Sequence, residues 1–174
     1  MDRDPIEDLK RVGCPRRVIN HCKAVCELAV EMAERCREDV DVELVRVGAL
    51  LHDIGRSKTH GIDHAVVGAQ IVRELGYPER VARIVERHIG AGIPKEEAEE
   101  LGLPPKDYVP ETLEEKIVAH ADNLTFGTEH VPIKAVVRKF SEKLGEDAPP
   151  VRRLVELHRE LSELNAIPPE LDRW

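Results

Sequence analysis

The stretch Val45-Arg46-Val47-Gly48-Ala49-Leu50-Leu51-His52-Asp53-Ile54-Gly55 decides how this chain is read. A mostly apolar run, Val45 to Leu51, closes on two adjacent metal-binding side chains, and a glycine able to end a helix follows. His52 shares a helical face with Val45, Gly48 and Ala49, and Asp53 follows about 100° further round. Both can then reach one ion if the helix stops there. An unpaired imidazole or carboxylate on an apolar face loses its hydration and destabilises the fold, so these groups require partners.

Working outward, the partners lie in neighbouring helical patterns. Val18, His21, Cys22, Val25, Ala29 and Met32 recur at three- and four-residue spacing, which directs His21 with the core. His88 stacks over Val81, Ile84 and Val85, Asp122 sits over Val118 and Ala119, and His64 takes the first helical position after Asp63. Taken alone, a histidine on an apolar face is usually a satisfied core residue, and His64 reads equally well as a solvent-facing ring. The joint placement argues for ligands. Imidazole suits Mn, Fe, Co, Ni or Zn, and carboxylate adds hard oxygen character, so the set points to a hydrolytic transition-metal site and away from a calcium cage. It exceeds the needs of one tetrahedral zinc and suffices for two ions about 3.5–4 Å apart under a shared carboxylate. Asp53 is the candidate for that shared position.

With His21, His52-Asp53 and Asp122 in this order, the chain resembles the HD-domain superfamily of metal-dependent phosphohydrolases from about residue 16 to about residue 126. The stretches His64-Ala65-Val66-Val67-Gly68-Ala69 and Val85-Glu86-Arg87-His88 are similar to the two-metal branch of that superfamily, which includes HD-type diadenosine tetraphosphate hydrolases and cyclic-dinucleotide phosphodiesterases. The resemblance implies an all-α, single-domain helical bundle of about seven or eight helices. It also implies that His21, His52, Asp53 and Asp122 hold one ion and that Asp53, His64 and His88 hold the other. Where many relatives carry Lys after His-Asp-Ile-Gly, this chain has Arg56, which keeps the charge but replaces a point donor with a planar fork. Gly76-Tyr77-Pro78 matches a cyclic-dinucleotide signature only in letters, since it precedes His88 and reads as the cap of one helix and the start of the next.

The implied chemistry is attack on phosphorus by a metal-activated water, with Asp53 and Arg56 as catalytic residues. Arg56, Lys58 and His60, in the loop after the His-Asp pair, are the candidate substrate-binding residues, although a loop of this composition is also an ordinary solvated one. The cofactor is one or two divalent transition-metal ions. The absence of a Gly-rich phosphate loop or dinucleotide fingerprint disfavours a nucleotide-driven motor or a nicotinamide enzyme.

The rest of the chain punctuates into helices. Asp4-Pro5 opens a short one ended by Gly13, Pro15 starts the His21 helix, and Asp41 and Asp63 cap the next two. Pro78 begins the His88 helix, Pro94 a short acidic one, Thr112-Leu113-Glu114-Glu115 forms a capping box for the Asp122 helix, and Pro132 and Pro150 open the last two. No segment shows a strand period. The proline-rich connection 102–111 is expected to wall or cover a pocket, and the tail ending in Trp174 either docks or stays disordered. His120, His130 and His158 read as packing or surface residues. Cys14, Cys22, Cys26 and Cys36 match no zinc signature and read as reduced, small apolar residues, with a disulfide left open.

At 174 residues and 41% hydrophobic, the chain supports one core: a single domain over 1–174, with 16–126 bearing the motifs and 127–174 adding C-terminal helices and a tail. The charged fraction of 34% exceeds the ordinary level and suggests a heat-adapted source. A net charge of −8 opposes extended nucleic acid or an anionic membrane as partner, while Arg80, Arg83 and Arg87 form a cluster able to attract a small anion. A charged N-terminus without an apolar segment and the lack of a spanning run predict a cytoplasmic protein with no secretory leader. The expected partner is a small phosphorylated metabolite or nucleotide, with homo-oligomerisation left open. Two other classes stand beside the hydrolase: a metal-bearing module that holds an anionic metabolite without turnover, and a helical interaction domain with structural His and Asp residues.

Overall fold

Proline and aspartate set most of the helix starts. In the computed structural model, which describes residues 3–174, Asp4 accepts from the Ile6 amide to cap α1 (Pro5–Arg11), and α2 (Arg16–Arg35) starts directly after Pro15. The Asp41 side chain accepts from the Leu44 amide to cap α3 (Val42–Leu51), whose C-cap is His52. A 3-10 turn (Ile54–Ser57) carries the chain round to α4 (His64–Glu74), followed by α5 (Glu79–Glu86), the short α6 (Lys95–Glu100) and α7 (Leu113–Asn123). A hairpin of β1 (Thr125–Phe126) and β2 (Glu129–His130) leads to α8 (Ile133–Leu144) and α9 (Pro149–Glu163).

The all-α architecture agrees with the sequence, with four local differences. The described residues contain nine α-helices, against the seven or eight that the family resemblance implied and in keeping with the nine starts marked in the sequence by proline, aspartate and threonine. The two-residue antiparallel hairpin is too short to impose a period on the sequence. Asp63 occupies the N-cap of α4 without capping it, since its carboxylate accepts from the Thr59 hydroxyl at 3.0 Å. The capping box of α7 is displaced by one residue on its return half: Thr112 accepts from the Glu115 amide, but Glu115 accepts from the amide of Glu111.

α3 is the axis of the core. Seven of its ten residues are buried, as suits a helix enclosed on several sides, and it packs against α1, α2, α5 and α7. Gly48 lets α5 approach closely, because a Cβ there would stand 2.7 Å from Ile84 Cδ1. The connection 102–111 forms a small second core of Ile93, Ala98, Leu103 and Tyr108, with the Tyr108 and Ile93 backbones paired at 2.8 and 3.0 Å. Its Pro104, Lys106 and Tyr108 border a hollow of their own, away from the His/Asp cluster. Arg80 pairs with Asp41 and Arg87 with Glu115, so two members of the anticipated basic cluster are neutralised. All four cysteines are free. No helix among the described residues is long and apolar enough to cross a membrane.

The C-terminal tail docks. Asp172 accepts from His158 Nε2–H at 2.8 Å and from the Ser162 hydroxyl at 2.6 Å, and the Trp174 ring meets His158 edge-on. This fixes the tautomers inward: His158 Nδ1 accepts from His120 Nε2–H at 2.8 Å, and His120 Nδ1 accepts from the Asn123 amide at 3.2 Å. Both rings are fully buried and neutral, and burial holds the His120 pKa well below the ordinary imidazole value. His158→Ala would leave the His120 N–H without a partner in the core, a loss of about 2–4 kcal/mol expected in denaturant unfolding. Because the unfolded chain binds a proton that folded His120 refuses, stability should fall as pH drops below about 6.5, and less steeply in His120→Phe.

Candidate metal centre

The site is assembled from the ends of elements. His52 closes α3, Asp53 precedes the 3-10 turn, His64 opens α4, and Asp122 lies in the last turn of α7. His21 projects from α2. His88 differs from the sequence expectation: α5 ends at Glu86, so this histidine sits two residues past the helix, its ring tied back to the Val85 carbonyl. His64 is buried, at 7% exposure, and the solvent-facing alternative for it is set aside.

Each of the four imidazoles donates from Nδ1 to a backbone carbonyl: His21 to Gly127, His52 to Ala49, His64 to Gly61 and His88 to Val85, at 2.6–2.9 Å. A carbonyl can only accept, so every Nδ1 carries hydrogen and every neutral ring turns an Nε2 lone pair inward. Asp53 divides the cluster. Its Oδ2 lies 3.7 Å from Nε2 of both His21 and His52, while its Oδ1 lies 3.4 Å from His64 Nε2 and 3.3 Å from His88 Nε2. Asp122 Oδ1 joins the first side, 2.9 Å from His21 Nε2 and 3.4 Å from His52 Nε2. The Nε2 atoms of His64 and His88 face each other at 3.2 Å, and the fully buried His52 Nε2 has no hydrogen-bond partner.

Converging lone pairs and carboxylates repel unless cations lie among them. The candidate ligand atoms fall into groups within 4.8 Å, namely His21, His52 and Asp53; His52, His88 and Asp122; and Asp53, His64 and His88. The donor chemistry therefore fits divalent metal, and the six sequence candidates are brought together.

The comparisons with known proteins agree with this geometry. The sequence profile described as HD domain matches residues 18–127. The chain belongs to the HD-domain family. It is 60% identical over 154 residues to an uncharacterized protein of Methanocaldococcus jannaschii, a match covering 87% of this chain and 91% of that protein. It is 53% identical over 154 residues to the tRNA (cytidine(56)-2'-O)-methyltransferase of Thermoplasma volcanium, covering 88% of this chain but only 44% of that relative. Among solved structures, the HD domain of the L. monocytogenes phosphodiesterase PgpH, in complex with cyclic-di-AMP, superposes with a TM-score of 0.56 at 18% identity, covering 98% of this chain and 100% of that one. At that identity the likeness concerns the fold.

The HD-domain cluster lines a cavity of about 250 Å³ whose far wall lies beyond the motifs. Phe126, Lys139 and Phe140 form part of it, with Asn123, Ile89 and Gly90. Sequence reasoning missed these residues, because α8 and the hairpin carry no ligand pattern. Of the three loop residues expected to bind substrate, Arg56 lines the cavity, with Nε 4.0 Å from Asp53 Oδ1 and Nη1 donating to the His60 carbonyl at 2.7 Å. The His60 side chain is exposed and its ring is not part of the cavity wall, and Lys58 lies instead on the hollow bordered by Lys106 and Tyr108.

Charge within the HD-domain site is strongly polarised. Burial opposes protonation of His52, but Asp53 and Asp122 outweigh it and hold the ring's pKa well above its ordinary value. Burial likewise opposes ionisation of both carboxyls, yet His52 and the other rings keep Asp53 and Asp122 well below the usual carboxylate range. Burial lowers His88. Because the raised His52 must surrender its proton to act as a ligand, metal titration at neutral pH should release about one proton or more. Calorimetry in buffers of different ionisation enthalpy reads that release, and affinity should weaken as pH falls. Gly55 supports the same centre, since a Cβ there would overlap the His64 carbonyl and stand 2.8 Å from the Gly68 amide nitrogen. Gly55→Ala should therefore cost about 1–3 kcal/mol in thermal unfolding and lower the metal content by displacing His64.

Proposed function

We propose that the chain is a metal-dependent phosphohydrolase that cleaves a phosphoester or phosphoanhydride of a nucleotide or similar small molecule, with water as the nucleophile. The observation that carries this reading is the division of Asp53: one carboxylate oxygen faces His21 and His52, the other faces His64 and His88. On this reading His21, His52, Asp53 and Asp122 would hold one divalent ion, and Asp53, His64 and His88 a second. Such ions, when bound, lower the pKa of water toward neutrality and offset charge on phosphate oxygens.

The chain's own groups do the positioning. Arg56 presents its guanidinium from the cavity wall, held by the His60 carbonyl, and can donate to non-bridging phosphate oxygens. The Gly61 and Val85 carbonyls orient the His64 and His88 rings toward one oxygen of Asp53, and the Gly127 and Ala49 carbonyls orient His21 and His52 toward the other. Lys139 offers a second cation across the cavity, its ammonium 4.3 Å from the centre of the Phe126 ring. Ile89, Phe126 and Phe140 narrow the access of bulk water. His60 acts through its backbone, and Lys58 has no place in the proposed chemistry.

A binding module without turnover is the second reading. It is favoured by the Thermoplasma volcanium relative, in which the matched region is under half of a protein named for another activity. Anaerobic purification with elemental analysis, then assays for the hydrolysis products of dinucleoside polyphosphates (nucleotides), cyclic dinucleotides (linear dinucleotides) and nucleoside monophosphates (orthophosphate), separates the two. Asp53→Ala should abolish hydrolysis and deplete both ions, whereas His64→Ala should mainly deplete one. Metal-free parent protein should melt at a lower temperature than the loaded form, and that difference should shrink in Asp53→Ala. Tight binding of one of these ligands by loaded protein with no turnover would establish the module instead.

A further inference from the structure

The metal cavity does not end at Phe140. Ile89, Gly90, Lys139 and Phe140 line both it and a second, larger cleft of about 490 Å³, within the range of roughly 300–1,000 Å³ typical of small-molecule sites. Beyond Phe140 the cleft runs to Ile62, Leu101 and Leu144, which are 41%, 48% and 48% exposed. Only Trp174 joins them as an exposed large hydrophobic among the described residues, so three of the four converge on the edge of this cleft. Apolar surface concentrated beside a polar, cation-bearing cavity marks a ligand site more than it marks chance.

Much of the polar surface in this wall is already engaged. Arg153 donates to both carboxylate oxygens of Glu97, at 2.7 and 2.8 Å, and to the Gly92 carbonyl. The Gly90 carbonyl accepts from Asn123, and the Ile93 N–H and C=O pair with Tyr108. The other polar side chains of the wall are the charged Glu100, Lys139 and Lys143, and no neutral amide or hydroxyl side chain lines the cleft to read the hydrogen-bonding edge of a base. Of the cations, Lys139 lies at the seam between the two hollows and Lys143 one turn along α8.

We infer that this cleft holds the organic portion of the phosphate ester, an apolar group recognised by contact and size, while its phosphate lies at the His/Asp cluster between Arg56 and Lys139. The inference rests on the phosphohydrolase reading and narrows its substrate class: specificity comes from the bulk and apolarity of the attached group, and base identity has little effect.

The test uses the full, metal-loaded chain and two readouts, calorimetric binding and phosphate release, with methyl phosphate, naphthyl phosphate and the nucleoside monophosphates of the four bases. Naphthyl phosphate should bind about tenfold or more tightly than methyl phosphate, as burial of an aromatic bicycle in an apolar cleft implies. The four nucleotides should differ from one another by less than about threefold, as expected where no buried polar group reads the base. Leu144→Glu, at the exposed end of α8, should reduce the naphthyl-to-methyl affinity ratio by about fivefold or more while keeping the parental melting temperature. Equal binding of the methyl and naphthyl esters, a strong preference for one base, or an unchanged ratio in Leu144→Glu would each overturn the assignment. Binding preferences as expected, with no turnover of these monoesters or of dinucleoside polyphosphates and cyclic dinucleotides, would overturn the hydrolase reading while leaving the cleft assignment standing.

Discussion

Four backbone carbonyls determine what the centre of this molecule can be. By accepting the Nδ1 hydrogens of His21, His52, His64 and His88, they remove the freedom of each ring to flip, so that each ring, once neutral, turns an Nε2 lone pair inward. What remains is a set of Nε2 lone pairs facing two carboxylates kept ionised by their surroundings. A protein interior tolerates such an arrangement only with positive charge in its midst, supplied by protons or by metal. The rest of the fold can be understood as the support that keeps those rings from relaxing apart.

That support is mostly close approach of backbone. α3 passes through the core with a glycine where α5 crosses it, and Gly55 lets the turn after Asp53 rest directly on the first turn of α4. His52, Asp53 and His64 are thereby related through short stretches of main chain with little slack. On the opposite side, His21 is held by the Gly127 carbonyl at the tip of the hairpin, so the smallest sheet in the molecule positions a ligand candidate. The buried chain from Asn123 through His120 and His158 to Asp172 ties the end of α7, next to Asp122, to α9 and the tail.

The ligand candidates were legible because burying a polar group leaves a sequence trace: His21, His52, Asp53 and Asp122 interrupt apolar faces at helical spacing, and the HD-domain pattern records their order. The helix starts were legible from Pro15, Asp41, Thr112 and Pro132 for equally local reasons. The far wall of the cavity was not. Lys139 and Phe140 reach it through the packing of α8 against the rest of the bundle, and nothing in their neighbours distinguishes them from any amphipathic helix. Lys58 and His60 show the converse error. Adjacency in sequence to the His-Asp pair suggested adjacency in space, but the turn at 54–57 rotates Lys58 toward another hollow, and His60 gives its carbonyl to Arg56. The His88 ring reached its expected neighbours although its helix ended two residues early, because the Val85 carbonyl holds it where another turn would have done.

The donor set has one more consequence. Every candidate ligand atom is an imidazole nitrogen or a carboxylate oxygen, and the cysteines nearest in sequence, Cys14, Cys22 and Cys26, are not among them. Without a thiolate, the cluster lacks the softness that lets a site favour zinc or cuprous ion over harder neighbours, and first-row divalent ions would compete for it on intrinsic affinity and abundance. The identity of the ion in a living cell would then be a property of the cell's metal economy as much as of the protein, and the same polypeptide drawn from iron-replete and manganese-replete cultures would be two chemically different species.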